Sequence, residues 1–270
     1  MSITGVARGL ALASHPGPTV AVTSFTALLA ASAGHTPARA VLVTAAVFTG
    51  QLSIGWSNDL VDAARDRAVA RSDKPLVQGV LPDGALRAAT VVALVACVAL
   101  SLACGLASAA VHLLLGVASG WAYNLYFKRT ALSPLPYAVA FAALPAVVTL
   151  ALPAPAWPPA WVMATGALLG TGAHLLNTLP DLAADEATGV RGLPHRLGAE
   201  AVRLLAPAVL LAGSVVAGFG RGLDAVGGAL LAICVALAVV AVRARGKVPF
   251  LAAIGIALAN VVSLVLAQPR

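Results

Sequence analysis

Long apolar runs broken by short polar connections repeat along the whole chain, and their helical hydropathy sets the first expectation. Cutting at proline, glycine and charge predicts about nine helical runs, at residues 19–33, 39–56, 85–104, 107–127, 134–150, 159–179, 200–219, 223–242 and 248–266. Most approach the roughly 20 residues needed to cross a hydrocarbon core. The first and fifth are short, which suits a tilted or shallow helix. Hydropathy is continuous over each run, with no ten-residue alternation, which argues against a membrane β-barrel. The expected fold is all-α, one domain over residues 1–270, a polytopic protein whose first partner is the lipid bilayer.

Composition sharpens this picture. Of the 270 residues 60% are hydrophobic and 10% charged, where a water-soluble domain carries roughly a quarter charged residues. Such a chain cannot be solvated on all sides. Its net charge of +7 does not imply a nucleic-acid partner, because the basic residues are scattered over short loops. Fourteen of the 17 lysines and arginines fall at the N-terminus or in connections after even-numbered runs, leaving Arg39, Arg221 and Arg270 on the opposite side. By the positive-inside rule the N-terminus and those loops are cytoplasmic. Arg8 is the only early positive charge and no apolar run with a cleavage site follows it, so insertion is expected to rely on the first spanning helix. Cys97, Cys104 and Cys234 lie inside apolar runs with no paired spacing and read as small buried hydrophobes. Fourteen arginines against three lysines, with abundant Ala, Val, Leu and Gly, suggest a high-GC bacterial source.

Carboxylates share the cytoplasmic side but do not set topology, so their placement needs another cause. Asn58, Asp59, Asp62 and Asp66 follow a charge-free run. If the second helix continues through them, the three aspartates at i, i+3 and i+7 share one face. Like charges one turn apart repel unless something neutralises them. Mg²⁺ suits this task, because it commonly bridges one or two carboxylates and a substrate phosphate. A second stretch places His174, Asn177, Asp181 and Asp185 on one helical stripe, with Pro180 positioned to kink the helix. Two acidic helix ends on one side of the membrane, each preceded by an asparagine, suit two Mg²⁺ ions around a diphosphate.

These residues resemble the two aspartate-rich motifs of the UbiA superfamily of intramembrane prenyltransferases. The first motif corresponds to Asn58, Asp59, Asp62 and Asp66, the second to Asp181 and Asp185. The family's tyrosine and lysine after the fourth helix are represented by Tyr123 or Tyr126 and by Lys128, although here the spacing is five or two residues rather than the usual four. The segment from Arg71 to Gly79 resembles the one that follows the first motif in many relatives, and Asp73 within it reads as a loop cap.

The resemblance implies a ring of helices around a central cavity, capped by cytoplasmic loops. A prenyl diphosphate would sit with its head at the aspartates and its tail among apolar helices. A small acceptor, aromatic or a quinone precursor, would then attack the allylic cation. Mg²⁺ would be held by Asp59, Asp62, Asp66, Asp181 and Asp185, with Asn58 and Asn177 as neutral oxygens. Lys128, Arg65, Arg67, Arg71 and Lys74 would meet phosphate oxygens, and His174 would line the cavity. His195 reads as a solvated loop residue. His35 and His112 read as structural.

Two further readings belong beside transfer. A terpene cyclase on the same scaffold would trap the cation on the substrate's own double bond, although the chain's few aromatic residues favour transfer. A transporter would place its acidic residues near the bilayer midplane, whereas these lie at helix ends.

Overall fold

The computed structural model describes residues 3–180, 182, 185, 189–245 and 248–266. Its described elements are helical. They are α1 Ile3–Ala13, α2 Pro16–Ser32, α3 Pro37–Ala68, α4 Asp83–Ala103, α5 Leu106–Leu125, α6 Leu135–Thr149, α7 Ala160–Thr178, α8 Leu193–Leu197, α9 Ala199–Gly220, α10 Ala225–Arg243 and α11 Val248–Leu266. A helix lies at each of the predicted runs. Among the described residues α3, α4, α5, α9, α10 and α11, six helices, are long and apolar enough to cross a membrane. The short first and fifth runs become α2, with 17 residues, and α6, with 15. On α7, glycines together with His174 and Asn177 dilute the apolar character.

The ends follow local chemistry. Proline opens α2 and α3, where its fixed φ and missing N–H cost nothing. The hydroxyl of Thr36 caps α3, and the carboxylate of Asp224 accepts from the Gly227 N–H to cap α10. With no proline after Pro37, α3 runs unbroken for 32 residues. It therefore carries Asp59, Asp62 and Asp66 on one helix, as their spacing requires. Inside α5 the six residues from His112 to Val117 widen into a π turn, with His112 Nδ1 2.8 Å from the Ser101 hydroxyl of α4.

Neighbouring helices pack in sequence, and α11 returns to meet α2, so the first and last of the predicted runs close the ring. The main core gathers Leu29 of α2, Val43 and Val47 of α3, Val147 and Val148 of α6, Leu210 of α9, and Ile256 and Leu264 of α11. Exposed Val91, Val92 and Val95 of α4 and Leu258 of α11 face outward, as lipid-facing positions should. A second, smaller core forms under α1, which the hydropathy pattern does not predict. There Ala13, Ala63, Leu76, Leu81 and Leu86 pack together, and the Trp56 indole donates to the Leu10 carbonyl at 2.9 Å. This cluster fixes the loop after α3 against the acidic end of that helix.

Candidate active site

The last three turns of α3 form the floor of the site. Asp59, Asp62 and Asp66 are all buried, so their charges need partners within the protein. Each has at least one. Lys74, from the loop after α3, donates to Asp59 Oδ1 at 2.7 Å, and His15 Nε2 lies 3.0 Å from the same oxygen. Lys128, in a short 3₁₀ turn of residues 127–129 after α5, donates to Asp62 Oδ1. Burial pushes the Lys128 ammonium pKa down, and the adjacent Asp62 carboxylate works in the opposite direction.

Arg65 joins the two acidic stretches. Its Nη2 lies 3.1 Å from Asp62 Oδ2, 3.6 Å from Asp66 Oδ1 and 3.9 Å from Asp185 Oδ1. A single guanidinium nitrogen within 4 Å of all three means that the described acid of the second stretch faces the first. On the far side of Asp185, His195 Nε2 is 3.5 Å from Oδ2. Its imidazole is buried, not solvated as the sequence suggested, because residues 192–194 fold back on the α5–α6 connection through the Leu193 N–H to Ser133 Oγ bond of 3.0 Å.

A ring cluster flanks the acids. Tyr123 of α5 meets Tyr137 of α6 edge-on at 5.1 Å and His174 of α7 at 5.5 Å, while Tyr137 and His174 lie 5.0 Å apart. Ser133 Oγ lies 3.0 Å from His174 Nε2, and Asn177 hydrogen-bonds Tyr137. Tyr123 stands within electrostatic reach of both Asp62 and Asp185. The rings come together because Gly166 and Gly170 let α7 approach α6. A Cβ at Gly170 would lie 2.4 Å from the Tyr137 carbonyl oxygen.

Several predicted residues sit elsewhere. Tyr126 is 65% exposed and meets Phe127 edge-on, because the helix breaks at its φ of −137° and turns the ring outward. Arg67 is exposed and paired with Asp83. Arg71 stays at the site's edge: it donates twice to Asp73 at 2.8 Å, bonds that hold the Asp73 pKa down to about 2, and its charge remains within electrostatic reach of Asp66. The stripe from His174 to Asp185 is not one kinked helix, since α7 ends at Thr178 before Pro180. Asp181 lies outside the described residues.

Among the described residues no three carboxylate, thiol or imidazole groups converge on one point, since cationic side chains stand between the acids. The donor set nevertheless fits Mg²⁺. It consists of hard carboxylate oxygens with an amide beside them, and Asp59 Oδ2 is buried with no hydrogen-bond partner. An orphaned carboxylate oxygen at this depth is costly unless something positive meets it.

Residues 19–265 match the sequence model of the UbiA prenyltransferase family. The chain belongs to the UbiA prenyltransferase family. No curated protein matches it in sequence. Among solved structures it resembles a UbiA homolog from Archaeoglobus fulgidus bound to GPP and Mg²⁺, with a TM-score of 0.71, 15% identity, and coverage of 96% of this chain and 99% of that one. An apo UbiA homolog from Aeropyrum pernix K1 gives 0.70 at 17% identity, covering 98% and 99%. A digeranylgeranylglyceryl phosphate synthase gives 0.67 at 11%, covering 97% and 98%. At these identities the likeness establishes the UbiA membrane fold. Within that fold, sequence reading missed His15, Asn124, Ser133, Tyr137 and the burial of His195. Only Asn124 left a signal, four residues before Lys128.

Proposed function

We propose that this UbiA family member is a Mg²⁺-dependent intramembrane prenyltransferase, moving the prenyl group of a prenyl diphosphate onto a small acceptor that is aromatic or a quinone precursor. The reach of Arg65 Nη2 to Asp62, Asp66 and Asp185 carries the reading. It joins two acidic stretches more than a hundred residues apart at one place, where the headgroup would lie. Asp59, Asp62, Asp66 and Asp185, with Asp181 and the amide oxygens of Asn58 and Asn177, would hold the metal. When bound, Mg²⁺ supplies positive charge that makes a diphosphate a competent leaving group.

The chain's own residues account for the rest. Lys128, Arg65 and Lys74 are held beside the acids and supply cationic hydrogen-bond donors to the departing oxygens. The C1–O bond of the allylic diphosphate breaks and its electron pair leaves with pyrophosphate. The acceptor carbon bonds to C1 and loses its proton. Tyr123 lies within reach of Asp62 and Asp185, with Tyr137 and His174 packed against it, and the π electrons of this cluster would attract an allylic cation. Burial of the acids keeps bulk water from intercepting that cation. The side bearing these loops faces the cytoplasm, by the distribution of arginine and lysine.

Mass spectrometry of products formed from prenyl diphosphates of several lengths and candidate acceptors, with and without Mg²⁺, tests the assignment. A prenylated acceptor appearing only with Mg²⁺ is the expected result, and metal-independent turnover overturns it. The ring cluster also suits cyclisation, so a hydrocarbon released from the donor alone would replace transfer with a cyclase.

A further inference from the structure

Asn124 of α5 is 2% exposed and lies against the part of α3 that begins the acidic stretch. Its Nδ2 donates to the Ile54 carbonyl oxygen at 2.9 Å and to Ser57 Oγ at 2.9 Å. Its Oδ1 accepts from Asn58 Nδ2 at 3.1 Å. A main-chain carbonyl only accepts, so the Asn124 amide has one allowed orientation, with nitrogen toward Ile54. Its oxygen is then left for Asn58, and only the nitrogen of Asn58 can meet it. One carbonyl thus orients two amides in series.

The consequence falls on Asn58. Its NH₂ is turned toward α5, and its oxygen is the end left for other partners, one helical turn before Asp62 on the same side of α3. Turned the other way, Asn58 would offer N–H donors suited to phosphate oxygens. Turned this way, it offers lone pairs suited to a cation or its water.

We propose that Asn124 is a positioning residue that holds Asn58 oxygen-outward, adding a neutral oxygen donor to the carboxylates of α3 and tightening their grip on a divalent ion. This rests on the Mg²⁺-dependent reading above. A buried amide that merely ties α5 to α3 would be satisfied by the same bonds, so the test must separate the two roles.

Wild type, Asn58→Ala, Asn124→Leu and the double variant are purified in detergent, and Mg²⁺ is titrated against thermal unfolding in the presence of inorganic pyrophosphate. Each single variant should raise the Mg²⁺ midpoint by about tenfold, the lower end of what losing a ligand's hydrogen-bond partner costs. The double variant should be no worse than Asn58→Ala, because Asn124 acts through Asn58. Two results overturn the inference alone: effects that multiply in the double variant, or an Asn124→Leu that lowers metal-free stability with its Mg²⁺ midpoint unmoved. Should Asn124→Leu fail to fold, Asn124→Ser carries the same comparison, its hydroxyl being too short to hold both Ile54 and Asn58. A wild type with no Mg²⁺ response would remove the functional reading together with this inference.

Discussion

Replacing Lys128 by Met keeps the aliphatic stem and removes the ammonium that Asp62 faces. Both side chains are 5% exposed, so water screens the pair little. Removing one partner of a buried pair costs about 3–5 kcal/mol when the other is left uncompensated. Asp62 is not wholly abandoned, since Arg65 Nη2 stays 3.1 Å from its second oxygen. We therefore expect a loss of about 2 kcal/mol, near the lower part of the range for hydrogen bonds to charged groups. Under the proposed function Lys128 donates to the departing oxygen, so turnover should fall by about 10²–10³, as when one transition-state donor is lost. Denaturant unfolding in mixed micelles, run as a double-mutant cycle with Asp62→Asn, isolates the pair. A coupling below about 0.5 kcal/mol, the level of solvated surface pairs, would refute the claim that this pair is buried and direct.

Arg65→Gln should raise KM for the prenyl diphosphate by about tenfold or more, because a charge-assisted contact worth about 1.5–3 kcal/mol is lost at the junction of the acidic stretches. Arg67→Gln, whose partner Asp83 is exposed, should change stability by no more than about 0.5 kcal/mol; equal kinetic effects of the two would contradict the geometry. Gly55→Ala places a Cβ 2.7 Å from the Ser14 carbonyl oxygen, a backbone atom with no room to yield, and should cost about 1–3 kcal/mol. Its control, Gly84→Ala, meets nothing within 4 Å and should leave Tm unchanged or raised, as read by thermal unfolding.

Periodicity made the acids of α3 legible. The absence of proline after Pro37 and a spacing of three and four residues put Asp59, Asp62 and Asp66 on one helical face, and α3 does run through them. Uncharged runs likewise located each long helix to within a few residues, apart from the extension of α3. Partners arriving from distant sequence were not legible. His15 reaches Asp59 from a left-handed turn with φ 53°, a conformation that histidine tolerates better than most residues, and no local pattern announces that contact. His195 looked solvated because its own segment is polar; its burial depends on Ser133, about sixty residues earlier in the chain. Tyr123 and Tyr126 were equivalent by composition and nearly so by spacing. Only the break in the helix at Tyr126, which turns one ring out and leaves the other against Tyr137 and His174, separates them. The end of α7 at Thr178 shows the opposite limit: the polar stripe continues past it in sequence, but the proline ring at position 180 is poorly tolerated in a continuing helix.

Release of pyrophosphate from a prenyl diphosphate, measured with Mg²⁺ present or chelated in wild type, Asp62→Asn and Asp185→Asn, bears most directly on the claim that both acidic stretches act on one headgroup. Release should depend on Mg²⁺ and fall at least a hundredfold in each variant while both remain folded. Release that survives chelation, or that persists at the wild-type rate in either variant, would contradict it.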